Sequence, residues 1–513
     1  MDNKHIAITF GPITRVISLA RKTRGMWAAS YLFSYLAKHI IEPFKEREFI
    51  LPYMGSKLFD EKSEGVGNFP DRYIFKTEEG DYEKLIETAN TVFSNLAVNL
   101  GPANKTKEEV KESLMQYFKV YFFEIERKEE QKEREFVEQC ESQLALLEHR
   151  EAFVPSVADD EHYLSRLFNA EKKEMRIMDF LLKDAGLSKF KSIVEITSQD
   201  EADNTNPAIP YQRYIAIVYA DGDSMGQAFA QAENSSLLSE QLFNFNKKAI
   251  ATINDFDGQP VFIGGDDLFF FAPIYNPGKG SILTLLQSLD RNFREALGEN
   301  SPATLSFGVS ITYFKYPMSE AVKLSQKLLD NAKGLYVDNE VPLEKNNILF
   351  SVQKHSGHTR GALLHKGCVE TMRLYNTLAD KYIVVKNDKD KKGKEEEEES
   401  NSLFLRSVMH NLREHEPILL NAITDSSLLH YYFKNNYNEP VHEGYKTFFN
   451  DLEELLTTAY KEYGSRIDKL KALMPTTDDG TKRPEGHDDA YAAIDLAYAL
   501  LQFIHLVNSK RDE

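Results

Sequence analysis

Short alternating apolar runs and longer helical stripes divide this chain into two α/β stretches with helical surroundings. Residues His5 to Phe10 alternate as a half-buried strand should, and Gly11-Pro12 then turns the chain into an amphipathic stretch from about Ile13 to Ile41. Phe49-Ile-Leu51 predicts a second strand, followed by a glycine-rich loop ending in Gly67-Asn-Phe-Pro-Asp-Arg-Tyr-Ile-Phe75. Thr106-Lys-Glu-Glu109 is a capping box opening a helical region to about Arg150, with Val110, Leu114, Phe118 and Phe122 on one stripe. Its charge-dense part, Glu126 to Glu141, predicts a solvated helix. More helix is expected from Glu161 to Ala185, and the polar stretch Thr197 to Pro210 as a linker.

The second stretch opens with the apolar strand Tyr214 to Ala220 and an acidic turn, Asp221-Gly222-Asp223. A helix-length segment, Ser224 to Asn254, leads to a strand ending Val261-Phe-Ile263. A second acidic turn follows, Gly264-Gly265-Asp266-Asp267, and then the strand Leu268 to Ala272. Beyond it the periodicity predicts a helix near Ser281 to Leu297, a strand Thr304 to Phe314, a helix Ser319 to Ala332 and a strand Ile348 to Val352. Lys386 to Ser400 is low-complexity, lysine-rich and then glutamate-rich, and is expected to be disordered. From Leu403 to the end helical periodicity dominates, and interaction is the expected role of that region.

Strand, acidic turn, helix, strand, acidic hairpin, strand is the pattern of a nucleotide-polymerising palm. That fold sets the two turns side by side on neighbouring strands. Three or four converging carboxylates repel one another unless a cation sits among them. Hard oxygen donors select Mg²⁺ or Mn²⁺, completed by substrate phosphates. The expected chemistry is two-metal nucleotidyl transfer. Gly264 and Gly265 permit a tight hairpin and let a triphosphate approach the backbone. Either turn alone reads equally well as an ordinary loop; together, between those strands, they favour catalysis.

Bulk properties narrow the class. At 513 residues the chain holds two to four domains by size. The start lacks a secretory apolar segment and no apolar run reaches membrane-spanning length, so a cytoplasmic protein without membrane contact is expected. Cys140 and Cys368 are its only cysteines, which excludes a disulfide framework and a multi-cysteine zinc site. The net charge of −18 argues against gripping nucleic acid over a broad surface, though not against local basic patches or a complex in which other subunits hold it.

Two motifs in the correct order resemble one family, the large palm-containing subunit of type III CRISPR effector complexes of the Cmr type. One is Gly11-Pro-Ile-Thr14 with Ala20-Arg-Lys-Thr-Arg-Gly-Met-Trp-Ala-Ala-Ser-Tyr-Leu32; the other is Asp221-Gly-Asp-Ser-Met-Gly226 with Gly264-Gly-Asp-Asp267. The resemblance covers about residues 5–355. It implies an α+β fold with two ferredoxin-like palm domains facing each other, ATP between them, helical insertions and a helical C-terminal domain. The corresponding division is an N-terminal palm-like domain at 1–100, a helical inter-palm region at 101–205, the second palm at 206–385, a disordered linker at 386–400 and the C-terminal helices at 401–513. Sensing of foreign RNA would switch on synthesis of a nucleotide second messenger, usually cyclic oligoadenylate. The implied partners are the other Cmr-type subunits, with guide RNA and target RNA reached through the complex; a homo-oligomer is not expected.

Carried over residue by residue, Asp221, Asp266 and Asp267 are the catalytic metal ligands and Asp223 a further one. Gly264, Gly265, Ser224 and Asp71 are the nucleotide-binding positions. Arg21, Lys22 and Arg24 are either a solvated face or phosphate contacts. There are departures. Only ten residues precede Gly11, whereas an HD nuclease domain needs ~100, so no nuclease activity is expected. His487-Asp488 reads as a loop rather than a displaced nuclease motif, and the family's four-cysteine zinc site cannot form.

Asp71 stands where relatives commonly have asparagine. It adds negative charge, unfavourable beside a second ATP and favourable beside a cation. Some members join ATP to S-adenosylmethionine, whose sulfonium and ammonium suit an aspartate. Otherwise Asp71 simply pairs with Arg72 or another arginine. Glu148 and Glu151 are additional carboxylates for such a cation, though helical exposure is the simpler expectation for both. Two readings compete with a messenger synthase. A stand-alone GGDEF-type cyclase is disfavoured by Gly-Gly-Asp-Asp-Leu268 and by the Arg-Lys-Thr-Arg segment. A non-catalytic scaffold is disfavoured by the intact Asp221, Asp266 and Asp267.

Overall fold

The structure is a computed structural model that describes the chain except residues 1–2, 12, 14–16, 18–19, 61–64, 101–105, 153–167, 169–175, 199–208, 232–234, 299, 335–344, 354–358, 384–394, 437–445, 474–487 and 510–513. Two sheets organise it. The first joins β1 (Lys4–Gly11), β2 (Phe49–Leu51), β3 (Arg72–Lys76) and β4 (Lys119–Glu126) in the order β2-β3-β1-β4, with every pair antiparallel. The second contains β5 (Tyr214–Asp223), β6 (Gln259–Gly264) and β7 (Asp267–Pro273). A short hairpin, β8 (Tyr275–Asn276) and β9 (Gly280–Ser281), follows, and β10 (Thr304–Tyr313), β11 (Asn347–Gln353) and β12 (Thr359–His365) complete the sheet. Its order is β12-β11-β10-β5-β7-β6. Within it β10-β5-β7-β6 repeats the arrangement of the first sheet, so each half is a ferredoxin-like palm.

Alternation along β5 explains how the halves join. Ile215 and Ile217 face the first half, in one apolar cluster with Trp27, Leu32, Leu36, Val261, Phe269 and Phe271. Ala216, Val218 and Ala220 point the other way, into a second cluster. The helix Thr23–Ile41, buried along nearly its whole length, is therefore the layer between the two sheets. Trp27 is fully buried and stacks on Tyr31, burial worth roughly 1.5–3 kcal/mol for a large side chain. The opposite face of the second sheet is covered by the helices Ser235–Asp255 and Ile282–Leu297 and by the C-terminal helices, through Leu452, Leu455, Leu500 and Phe503. The C-terminal region thus completes the palm core, a task that its periodicity did not reveal.

Several expectations are corrected. The helix predicted from Thr106 to Arg150 is two helices, Lys107–Tyr117 and Glu133–Ala152, separated by β4. Phe118 is not on a helical stripe but in extended backbone, and Phe122 pairs with Ile8 across the sheet. The alternating Lys-Val-Tyr-Phe-Phe-Glu-Ile-Glu run satisfies the open edge of β1, and that tertiary demand overrides helical spacing. The region expected to be wholly helical between the palms therefore supplies the fourth strand of the first one. The stretch expected as one helix from Ile13 to Ile41 is interrupted: Ile13 and Ile17 are helical, Ala20, Arg21 and Lys22 are not, and the helix Thr23–Ile41 follows. Glu395 to Ser400 open the helix Glu395–Glu414, while 386–394 lie outside the described residues. Asp488 likewise begins the helix Asp488–Asn508, and His487 is outside the described residues. Among the described residues no helix is long and apolar enough to cross a membrane.

Candidate active site

The hairpin Gly264-Gly265-Asp266-Asp267 is built by pairing of Gly264 with Asp267 between β6 and β7. Gly265 adopts φ +62°, which a two-residue turn of this kind requires at its first central position and which glycine supplies without strain. Beside it, β5 runs through Asp221-Gly222-Asp223 as strand rather than ending in a turn, because β10 pairs it to the end: Ser306 lies opposite Asp221 and Thr304 opposite Asp223. Gly222 donates its N–H to the Asp266 carbonyl at 3.2 Å. A Cβ at Gly222 would lie 2.6 Å from Asp266 Cβ, so only glycine lets the two acidic segments meet.

The structure brings three of the four predicted acids together. Asp266 is pushed up to about 6, by burial first and then by Asp221. Asp267 is pushed up to about 7 by the same causes, with Asp266 and Asp71 adding to the repulsion and Lys333 opposing it. Asp267 is open to solvent, but that solvent is a cleft walled by protein. Asp223 stands apart. It is buried, and its Oδ2 accepts hydrogen bonds from Thr304 Oγ1 at 2.7 Å, Ser306 Oγ at 2.7 Å and Asn346 N–H at 2.9 Å. Ser224 takes φ +58° at the junction with the helix Met225–Gln231, and its carbonyl accepts from the N–H groups of Gln227 and Ala228.

A cavity of about 1470 Å³ lies between the halves, lined by Gly264, Gly265, Asp266 and Asp267 on one side and Asp71, Arg72 and Glu148 on the other. The loop carrying Asp71 is fixed on the interlayer helix. Trp27 Nε1 donates to the Gly65 carbonyl at 2.8 Å, the Phe69 N–H donates to Ser34 Oγ at 3.0 Å, and Gly67 packs on Ser34 where no Cβ would fit. The expected pairing of Asp71 with Arg72 is not made. Arg72 instead meets Glu148 at 3.4 Å, and Glu148 also accepts a 2.7 Å hydrogen bond from Thr9. Burial pushes the Asp71 carboxyl up, Arg72 partly opposing it.

Glu148, expected to be an exposed helical residue, thus belongs to the cleft, while the side chain of Glu151 lies outside the described residues. Arg21, Lys22 and Arg24 are not among the residues lining it. Lys333, which sequence reasoning missed, holds Asp221 at 2.6 Å. Only its place just past the predicted helix Ser319 to Ala332 could have drawn notice, since its partner is 112 residues away in sequence.

Among the described residues no group of three or more His, Cys, Asp or Glu is arranged to hold a metal ion. The donor chemistry still fits Mg²⁺ or Mn²⁺, which bind through one or two carboxylates and take their remaining ligands from water and phosphate. Oxygen-only donors and the repulsion that lifts Asp266 and Asp267 both call for a cation at this point.

Comparisons with known proteins agree with this architecture. Residues 214–341 match the family model for the Cas10/Cmr2 second palm domain, and residues 5–137 match that for the N-terminal part of the CRISPR-associated protein Cmr2. Among solved structures, the chain resembles the Csm1-Csm4 cassette in complex with cA4, with TM-score 0.53 at 11% identity over 98% of this chain and 69% of that one. It also resembles the cassette in complex with cA3, with TM-score 0.50 at 12% identity over 97% and 69%. At such identities the likeness is one of fold. No curated protein sequence matches the chain. With both of its sheets accounted for by the two halves of one architecture, the chain belongs to the Cas10/Cmr2 family of CRISPR-associated proteins.

Proposed function

We propose that this chain is the catalytic large subunit of a type III-B (Cmr) complex, a metal-dependent nucleotidyltransferase that converts ATP into a nucleotide second messenger when target RNA is bound. The observation that carries this reading is the cleft itself. The hairpin acids Asp266 and Asp267 face a nucleotide-sized space closed by the other palm, with Asp221 close behind them. Mg²⁺ or Mn²⁺ bound to Asp221, Asp266 and Asp267 would supply the charge that activates a hydroxyl nucleophile and steadies the leaving pyrophosphate. Gly264 and Gly265 leave backbone open to the triphosphate. Asp223 acts in this reading as a buried support for the strand end rather than as a ligand. The similarly folded Csm1-Csm4 cassette is found in complex with cA4 and with cA3, which supports a nucleotide ligand for this fold.

The partner of the first ATP is either a further ATP, giving cyclic oligoadenylate, or S-adenosylmethionine, giving a methionine conjugate of AMP. Asp71 favours the second. Its carboxylate faces the same cleft as Asp267, and Arg72 is engaged by Glu148. A triphosphate there meets two carboxylates, whereas a sulfonium and an ammonium are attracted by them.

The test is to assemble the chain with the other Cmr subunits, guide RNA and matching target RNA. Labelled ATP and Mn²⁺ are then added with and without S-adenosylmethionine. Product from ATP alone identifies an oligoadenylate synthase, and product only with S-adenosylmethionine identifies the conjugating enzyme. Absence of any nucleotide product in the target-bound complex overturns the catalytic reading in favour of a scaffold.

A further inference from the structure

We propose that Lys333 is a built-in counter-cation of the second palm, which occupies Asp221 in the resting chain and must release that carboxylate before a divalent ion can take it. The inference rests on the metal-dependent reading above and adds a device that governs loading of that site. Lys333 Nζ lies 2.6 Å from Asp221 Oδ2 and donates to the Gly222 carbonyl at 3.1 Å, so one ammonium clamps the acid and the backbone beside it. Its side chain is 11% exposed and that of Asp221 33%, so the pair is sheltered from the screening that weakens surface ion pairs.

The ammonium is delivered by the fold. Lys333 caps the helix Met318–Ala332, its N–H reaching the Leu329 and Asn331 carbonyls. That helix is pressed onto β5 and β10. Ser325 Oγ bonds the carbonyls of both Ile217 and Gly308 at 2.9 Å, and a Cβ at Gly308 would lie 2.2 Å from Leu329 N. Two observations agree. Asp266 and Asp267 line the cleft, whereas Asp221 does not. And Lys333 is the cation that offsets the repulsion at both Asp266 and Asp267.

A single positive charge among three carboxylates leaves two uncompensated. Exchange for a dication removes more of the repulsion and frees an ammonium beside the incoming triphosphate. The lysine accordingly keeps the palm folded without metal and sets how much metal is needed to load it.

The experiment is a Mn²⁺ titration of the full chain without nucleotide, with free Mn²⁺ followed by electron paramagnetic resonance, for the wild type, Lys333→Met and Lys333→Arg. Lys333→Met is expected to bind Mn²⁺ about tenfold more tightly because its competitor is gone, while Lys333→Arg retains a fixed cation and gains nothing. Unchanged or weaker binding by a folded Lys333→Met protein overturns the proposal and leaves the metal site standing. Absence of Mn²⁺ binding in every protein, including the wild type, overturns both.

Should Lys333→Met not fold, amine labelling of the wild type followed by mass spectrometry replaces it. Lys333 is expected to be protected without metal and to gain reactivity on addition of Mn²⁺. Equal labelling in both states overturns the exchange.

Discussion

Ser306 donates its hydroxyl hydrogen to Oδ2 of Asp223 at 2.7 Å, and this contact separates Asp223 from the other acids of its motif. With Thr304 and the Asn346 N–H it ties β5, β10 and the start of β11 to one buried oxygen. Asp223→Ala leaves those donors without an acceptor and should cost roughly 2–4 kcal/mol of stability. Asp221→Ala, which strands Lys333 but also relieves the repulsion at Asp266 and Asp267, should cost less stability than Asp223→Ala yet remove activity. Thermal denaturation of the two variants decides the matter: a native-like melt for Asp223→Ala together with lost Mn²⁺ binding would place Asp223 among the ligands.

Asp266 and Asp267 repel each other and Asp221, so their replacement by asparagine should stabilise the metal-free chain while abolishing product. An increase in melting temperature of roughly 2 °C or more is expected for Asp266→Asn with Asp267→Asn in EDTA. Persistent messenger synthesis by the assembled double variant would show that the metal site is elsewhere.

The same repulsion sets a pH dependence. Both carboxyls hold protons more tightly in the folded chain, at about 6 and about 7, than at the ordinary value of 3.8. Between about pH 4 and pH 7 the folded state therefore binds the more protons, so their contribution to stability is full below that window and is lost as pH rises through it. Mn²⁺ competes with those protons, so the melting-temperature increase on adding Mn²⁺ should grow from about pH 5 to about pH 8. A constant increase across that range would mean that other groups bind the ion.

Asp71→Asn should weaken S-adenosylmethionine binding, by about tenfold if one close charge pair is lost, and leave ATP binding unchanged or improved. Equilibrium binding of both ligands to the assembled complex measures this. Equal loss of both ligands would assign Asp71 to holding the loop instead.

The candidate acids are legible in the sequence because their signal is local. Acid-bearing segments that directly follow apolar runs, and a glycine pair at a hairpin, are short-range signals set by backbone sterics and side-chain period. They are enough to place Asp221, Asp266 and Asp267 side by side, whereas Asp71 is marked only by the family resemblance. Their partners were not legible, because partners are fixed by chain crossings. β4 reads locally as helix because its pairing partner β1 is more than 100 residues earlier. Asp223 reads like its acidic neighbours because nothing local shows that Thr304, Ser306 and Asn346 close on it. Glu148 and Lys333 gained their places only when the helix Glu133–Ala152 met the ends of β1 and β3, and when the helix Met318–Ala332 was pressed onto Gly308. Local pattern determined which groups carry charge. Long-range packing decided which of those charges are left facing the cleft.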